Sequence, residues 1–177
     1  MKLSPELRKK FSKIELVILD VDGVLTDGTV AMSKYGDNIY FFNVRDGAGI
    51  HALTICNIRV ALVSGRKSSV ITRRAKVFGI TDIYQEVADK SPVLDKLLKK
   101  YSLIAEQVCY VGDDIIDLGI LKRVGLPVAV GDATDEVKKI SKYITTAIGG
   151  KGAVREVAEL ILKSKKMWKK VLDKFSG

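Results

Sequence analysis

Two carboxylates two residues apart, Asp20 and Asp22, open the segment 20–28 with the sequence DVDGVLTDG. They directly follow the apolar run 14–19, which is typical of a buried strand. Open α/β sheets bind their ligands at the carboxyl ends of strands. At such a place Asp20 could attack phosphorus as a nucleophile, and Asp22 could act first as an acid and then as a base. An acidic turn is the plainer alternative, because Asp is also a common turn former.

Two further groups of polar residues lie later in the sequence, one directly after a predicted strand and one at the start of a predicted helix. Ser64, Gly65 and Arg66 come directly after an apolar strand, where a hydroxyl and a backbone N–H can bind phosphate oxygens. Ser at that position is also an ordinary helix cap. Lys90 stands at the start of a predicted helix over 91–101, where the helix dipole disfavours a cation unless an anion compensates it. A surface lysine is the alternative reading of Lys90.

A third cluster is acidic and contains Asp113, Asp114 and Asp117. It follows the predicted strand 107–111, so its side chains should meet Asp20 at one edge of the sheet. Magnesium prefers a few carboxylates together with water and phosphate oxygens. The sequence therefore predicts a magnesium site at this edge.

The elements that would position these residues alternate along the chain. Strands are predicted at 14–19, 59–63, 82–84, 107–111 and 127–130, and helices over 46–56, 68–78, 91–101, 114–124 and 134–141. A β-hairpin is predicted over 29–43 with its turn at 35–37, a flexible glycine joint at 149–152, and a long closing helix from about residue 153. This alternation predicts an α/β fold with a doubly wound, Rossmann-like parallel sheet and a projecting hairpin, as one domain over 1–177.

Composition excludes several classes of protein. With 177 residues, 47% of them hydrophobic and three prolines, the chain can bury a sizeable core and is not disordered. No apolar run approaches the ~20 residues of a membrane span, and the first residues lack a signal-peptide pattern. We therefore expect a cytoplasmic protein with no membrane partner. Cys56 and Cys109 are isolated, which predicts buried thiols rather than a zinc site or a disulfide, and the lone His51 is assigned no role.

The net charge of +9 lies at the two ends of the chain. Residues 1–13 carry five basic and one acidic side chain, residues 163–177 carry six and one, and the body between them is balanced. Solvated helix faces are the favoured interpretation, and a basic tail that meets an anionic substrate or a partner subunit is the alternative. A nucleic-acid partner is not expected, because no aromatic-interleaved basic strand or helix-turn-helix pattern accompanies the charge.

Taken in order along the chain, Asp-x-Asp, Ser, Lys and Gly-Asp-Asp-x-x-Asp resemble the haloacid dehalogenase superfamily of phosphatases. The resemblance implies that Asp20 is the nucleophile and Asp22 the general acid and base. It implies that Ser64 and Lys90 hold the transferring phosphoryl group. This assignment agrees with the chemistry, since the transition state spreads negative charge over the equatorial phosphoryl oxygens.

The same resemblance implies a set of metal ligands. Asp20, Asp113 and the backbone carbonyl of Asp22 would bind Mg²⁺. Asp114 and Asp117 would lie behind the ligands and orient water and Lys90.

The resemblance narrows to members that lack a cap domain, because only a hairpin and one helix fit between the first two clusters. The segments 20–28, 42–47, 64–66 and 149–156 resemble the 3-deoxy-D-manno-octulosonate 8-phosphate phosphatases, and the similarity covers roughly residues 12–162. It implies hydrolysis of a small anionic sugar phosphate through an aspartyl phosphate, in lipopolysaccharide precursor synthesis. It also implies a homotetramer joined through the hairpins, with the basic tail 163–177 of one subunit near the active site of another.

Substrate contacts are expected from Ser64, Gly65 and Arg66, and Arg66 could pair with the sugar-acid carboxylate. A solvent-facing arginine is the alternative. The segment 86–90 departs from the family pattern, because it lacks the glycine associated with this loop.

Three other functions compete with this hypothesis. A phosphatase of a nine-carbon sugar-acid 9-phosphate is the nearest, although its relatives tend to carry an acidic residue in place of Arg66. A signalling receiver domain uses similar residues, but its acidic pair and its phosphoacceptor lie on different strands, whereas Asp20 and Asp22 share one turn. A non-catalytic tetramerisation module is disfavoured by the intact Asp22.

Overall fold

The structure is a computed structural model that describes residues 3–32, 34 and 38–176. Its strands are β1 Leu16–Leu19, β2 Ala31–Met32, β3 Asn38–Ile39, β4 Arg59–Val63, β5 Asp82–Tyr84, β6 Val108–Gly112, β7 Leu126–Ala129 and β8 Tyr143–Ile144. Its helices are α1 Pro5–Ser12, α2 Val44–Ile55, α3 Ser69–Val77, α4 Ser91–Tyr101, α5 Leu118–Leu121, α6 Asp135–Ile140, α7 Ala153–Ser164 and α8 Trp168–Phe175.

Six strands form a parallel sheet in the order β5-β4-β1-β6-β7-β8. The central strand β1 pairs with β4 on one side and β6 on the other, so that Leu19 lies opposite Leu62 and Val111. Every residue of β1 is fully buried, as expected for a parallel strand covered on both faces. The order reverses at β1, and the carboxyl ends of β1, β4 and β6 form the crevice in which such sheets bind ligands. The predicted doubly wound α/β fold is confirmed.

The helices pack in groups beside this sheet. Helix α7 packs against both α1 and α2, while α5 packs against both α4 and α6. Helix α1 has clear local causes, since the Ser4 hydroxyl accepts the N–H of Leu7 and Pro5 occupies the first turn. It is anchored where Phe11 meets the ring of Tyr143 edge-on at 5.5 Å. The two-residue strand β8 was not predicted, and α1 was expected only as a solvated helix face within residues 1–13.

The predicted hairpin is present in shortened form. Strands β2 and β3 pair antiparallel, with Ala31 opposite Ile39. The turn predicted at 35–37 lies outside the described residues. No separate cap domain lies between β1 and β4 in the part of the chain that the structure describes.

Three other predictions were wrong in detail. The helix predicted over 114–124 is a 3₁₀ turn at Ile115–Asp117 followed by the single turn α5. The long closing helix is broken between α7 and α8, where Lys166 has a φ of +59°. The glycine joint at 149–152 is not loose, because Gly149 and Gly150 are buried against the turn that follows β1.

The basic C-terminal segment packs on its own chain. Val171 of α8 is buried, and Phe175 contacts the ring of His51 on α2 at 6.1 Å. Lys165 pairs with Glu15 at 2.7 Å. The approach of this tail to a neighbouring active site stays a prediction.

Cys56 and Cys109 are buried free thiols, as predicted. Among the described helices, none combines the length and the apolar character that a membrane span requires.

Candidate active site

The two aspartates of the first motif lie at the start of a tight turn after β1. The N–H groups of Leu25 and Thr26 both donate to the carbonyl of Val21, and the Thr26 hydroxyl accepts the N–H of Gly23. Gly23 has a φ of +93°, which a residue with a side chain rarely adopts. This closed turn fixes the backbone on which the Asp22 carboxylate and carbonyl lie.

Lys90 lies between two carboxylates at the carboxyl edge of the sheet. Its Nζ donates to Asp20 Oδ1 at 2.5 Å and to Asp117 Oδ1 at 2.7 Å, and its side chain is only 1% exposed. Lys90 is the N-cap residue of α4, where the helix dipole disfavours a cation. The two carboxylates supply the anionic compensation that the sequence position requires.

Asp117 is fully engaged by donors. Its Oδ1 also accepts the Tyr110 hydroxyl at 2.5 Å, and its Oδ2 accepts the N–H of Asp113 at 3.0 Å. The 3₁₀ turn after β6 is what brings Asp117 back beneath Asp113. Asp117 is therefore suited to orient Lys90 rather than to bind a ligand itself.

Asp20, Asp113 and Asp117 can each offer one carboxylate oxygen such that the three atoms lie within 4.8 Å of one another. Asp114, by contrast, is exposed and caps the following turn by accepting the N–H of Ile115 at 2.7 Å. The structure thus brings Asp117 to Lys90 as predicted and leaves Asp114 facing solvent.

The site carries an excess of negative charge. Burial raises the pKa of Asp20, and the carboxylate of Asp117 raises it further against the lowering effect of Lys90. Burial and the neighbouring carboxylates of Asp20 and Asp117 likewise raise the pKa of Asp113. Burial acts to lower the pKa of Lys90, but the two carboxylates outweigh it and the pKa rises. One lysine among three carboxylates leaves a site that a divalent cation would neutralise.

Asp22 and Ser64 lie together at the mouth of the crevice. The Ser64 hydroxyl donates to Asp22 Oδ2 at 3.4 Å, a long contact, and accepts the N–H of Arg66 at 3.1 Å. Asp22 Oδ1 is buried without a hydrogen-bond partner. A buried carboxylate oxygen without a partner is costly, so a hydrogen-bond donor from a bound molecule would be favourable here.

Arg66 and Gly65 are exposed beside Asp22. The Arg66 Nε lies 4.0 Å from Asp22 Oδ2, and 60% of its side chain is accessible to solvent. Because most of its side chain is exposed rather than packed, Arg66 can bind an anionic group next to Asp22.

Magnesium fits these residues. Carboxylate oxygens of Asp20 and Asp113 lie close together, with Asp117 beside them, and carboxylate oxygens are ligands that Mg²⁺ prefers. Gly23 makes room for the Asp113 carboxylate, because a Cβ on Gly23 would lie 2.0 Å from Asp113 Oδ2.

Sequence reasoning missed the contacts of three residues near the site: Tyr110 donates to Asp117, Thr26 accepts the N–H of Gly23, and Asp46 accepts N–H groups at the start of α7. Tyr110 is an apolar-looking member of a buried strand, and Thr26 was read only as part of the turn. Asp46 lies in the segment 42–47 that resembles the phosphatases, but no local signal reveals its contacts, because its partners lie more than a hundred residues away along the chain.

A central β1 followed by Asp20, with a buried lysine at the start of α4 and an acidic loop after β6, defines a hydrolase of the haloacid dehalogenase type. Residues 60–156, more than half of the chain, match the family model described as haloacid dehalogenase-like hydrolase. The chain belongs to this family.

Individual proteins similar to this chain indicate a narrower group within the family. The chain is 44% identical over 160 residues to the 3-deoxy-D-manno-octulosonate 8-phosphate phosphatase KdsC of Salmonella typhimurium, covering 90% of this chain and 85% of that protein. The crystal structure of the Yersinia pestis phosphatase of the same name superposes with a TM-score of 0.93 at 40% identity, over 94% of this chain and 90% of that one. The crystal structure of the Moraxella catarrhalis phosphatase of this name, in complex with magnesium, phosphate and KDO, superposes with a TM-score of 0.95 at 37% identity. The superposition covers 98% of this chain and 100% of that one.

Proposed function

We propose that this protein is a magnesium-dependent phosphatase that hydrolyses 3-deoxy-D-manno-octulosonate 8-phosphate to the free sugar acid and phosphate, in lipopolysaccharide precursor synthesis. The observation that carries the proposal is the buried Lys90 held between Asp20 and Asp117, whose carboxylates lie close to that of Asp113. The named relatives supply the substrate, and the donor set at Asp20 and Asp113 supports the metal.

In the first half of the reaction a carboxylate oxygen of Asp20 forms a bond to phosphorus while the bond from phosphorus to the sugar oxygen breaks. Asp22, in its protonated form, gives its proton to the departing sugar oxygen. The product of this step is an aspartyl phosphate on Asp20 and the free sugar acid. Lys90 holds Asp20 in place and lies where it can also bind a phosphoryl oxygen.

In the second half, Asp22 takes a proton from a water molecule whose oxygen attacks phosphorus. The bond between phosphorus and Asp20 breaks, which releases phosphate and regenerates the carboxylate. Bound Mg²⁺ supplies positive charge that neutralises the phosphoryl oxygens and the carboxylates. Ser64 adds its hydroxyl as a donor to the same phosphoryl group.

Arg66 supports a sugar acid as the substrate. Its guanidinium is exposed beside Asp22 and can bind a carboxylate with two parallel hydrogen bonds. A nine-carbon sugar-acid 9-phosphate is the second candidate, since it carries the same carboxylate and phosphate.

A phosphate-release assay over a panel of sugar phosphates tests the proposed function. We expect magnesium-dependent release to be fastest from 3-deoxy-D-manno-octulosonate 8-phosphate, slower from the nine-carbon analogue and slow from simple sugar phosphates. Equal rates on all of them would identify an unselective phosphatase, and no release from any would favour the non-catalytic module.

Replacing Asp22 by alanine should damage the chemistry more than metal binding. The side chain is lost as acid and base, which lowers kcat by about 10²-fold or more, while the backbone carbonyl assigned to magnesium remains. Calorimetric titration with Mg²⁺ and single-turnover kinetics separate the two effects. Asp27→Ala is the matched control, because Asp27 is an exposed aspartate of the same loop. Abolished metal binding with normal chemistry at saturating metal would contradict the assignment of Asp22.

We propose that the protein assembles as a homotetramer through its hairpin. Met32, Ile39 and Phe41 are between 51% and 78% exposed, which a short projecting hairpin cannot cover by itself. The Tyr40 hydroxyl, at the base of the hairpin, is buried without a partner in the described chain and could find one across an interface.

Sedimentation at micromolar concentration should give a tetramer for the wild type and smaller species for Phe41→Glu. A charge at that position would be desolvated in the interface. The control is Ile104→Glu, a similarly exposed apolar residue away from the hairpin, which should leave the tetramer intact. A wild-type monomer would refute the assembly.

A further inference from the structure

A buried carboxylate that takes no part in the proposed reaction lies in the first turn of α2. Asp46 is 1% exposed, and its two oxygens accept the N–H groups of Gly152 at 3.1 Å and Arg155 at 2.9 Å. These donors are the N-cap residue and the third residue of α7. They belong to the N–H groups that a helix leaves without partners at its start. Asp46 therefore caps α7 from a different helix.

The backbone before α7 explains why the cap comes from elsewhere. Gly152 has a φ of +110° and Gly150 a φ of +63°, both in the region that favours glycine. A serine or aspartate, the usual N-cap residues, would be strained at position 152. The side-chain cap that Gly152 cannot supply to the first turn of α7 therefore comes from Asp46.

The segment that Asp46 holds lies directly on the turn after β1. The N–H of Gly150 donates to the carbonyl of Val24 at 2.9 Å. Gly149 touches Gly23, because a Cβ on Gly149 would lie 1.8 Å from the Gly23 carbonyl oxygen. Gly23 in turn touches Asp113 on its other side. We call Asp113, Gly23 and Gly149 the glycine stack.

We propose that Asp46 is a positioning residue for the divalent-cation site. By capping α7 it holds Gly149 against Gly23, and the glycine stack then fixes the Asp22 carbonyl and the Asp113 carboxylate relative to each other. The inference rests on the proposed function, since it concerns the site assigned there to magnesium. Magnesium tolerates little departure from its preferred geometry, and groups behind metal ligands typically change affinity by about 10–100-fold when removed.

Asp46→Asn tests this proposal. The amide keeps the shape of the side chain, but its NH₂ group faces an N–H donor of α7, so one cap bond is lost. Calorimetric titration should give a Kd for Mg²⁺ at least about 10-fold weaker than the wild type. At saturating Mg²⁺ the kcat should return to within a few-fold of the wild type, because no reacting group has changed.

Asp82→Asn is the matched control. Asp82 is also buried and accepts bonds from the Lys100 amine and the Tyr101 hydroxyl, but it begins β5 and so lies at the opposite end of the sheet. This variant should lose thermal stability as Asp46→Asn does and keep the wild-type affinity for Mg²⁺.

Asn43→Ser provides a milder second variant if Asp46→Asn fails to fold. Asn43 caps α2 through the N–H of Arg45, which serine can also do, and its amide donates to the Gly150 carbonyl at 3.3 Å, which serine is too short to do. We expect a smaller weakening of Mg²⁺ affinity in the same direction.

The Mg²⁺ titrations distinguish a failure of the positioning role from a failure of the proposed function. Wild-type affinity in both Asp46→Asn and Asn43→Ser would overturn the positioning role, as would an equal weakening in Asp82→Asn. A wild-type protein that binds no Mg²⁺ at all would overturn the proposed function and this inference with it.

Discussion

Asp20→Asn should abolish phosphate release while leaving the fold intact. The amide cannot form an acyl phosphate, and it removes a negative charge from the cation site. We expect a fall in kcat of about 10⁴-fold or more, the scale on which loss of a covalent nucleophile acts. Lys90 keeps its second carboxylate, Asp117, so the buried cation is not left without a partner.

The control for Asp20→Asn is Asp27→Asn. Asp27 is exposed in the turn after β1, and its replacement removes one negative charge without a contact to Lys90 or Asp20 among the described residues. Phosphate release, circular dichroism and thermal melting should be measured on both variants. Substantial magnesium-dependent turnover in a folded Asp20→Asn protein would exclude the covalent mechanism.

The sequence predicted the parallel sheet whose carboxyl edge carries the candidate site, because one geometric rule governs that edge. Residues that follow parallel strands meet at the carboxyl edge of the sheet, whatever their separation along the chain. The apolar runs of β4 and β5 and the pattern of α4 were likewise strong enough to give the observed bounds. For these elements, local pattern and tertiary structure agree.

Other features depended on contacts that no local pattern encodes. The break between α7 and α8 follows no proline or glycine, and the basic composition of that segment suits a continuous helix equally well. The glycines at 149–152 predicted a loose joint, whereas close packing against Gly23 is what requires them. The role of Asp117 as an anchor for Lys90 depends on the 3₁₀ turn, which carries the aspartate out of the helical register predicted over 114–124.

Removing Lys90 should affect both stability and activity. In Lys90→Met the carboxylates of Asp20 and Asp117 lose the cation between them, and both are almost fully buried. Breaking a buried ion pair on one side typically costs about 3–5 kcal/mol, which lowers the melting temperature by on the order of 10 °C in a chain of this size. Turnover should fall by about 10²-fold or more, as expected when a donor to the transition state is lost. The melts should be recorded in a chelator, so that bound metal does not mask the loss.

The double variant Lys90→Met with Asp117→Asn separates the two roles of the lysine. Neutralising Asp117 removes one uncompensated buried charge, and its amide can still accept the Tyr110 hydroxyl, so a large part of the lost stability should return. Turnover should not return, because the cation that holds Asp20 and would bind the phosphoryl group is still missing. If the double variant regains both stability and turnover, Lys90 serves only to compensate buried charge. If stability returns alone, the same ammonium group both maintains the fold at this edge of the sheet and takes part in the chemistry.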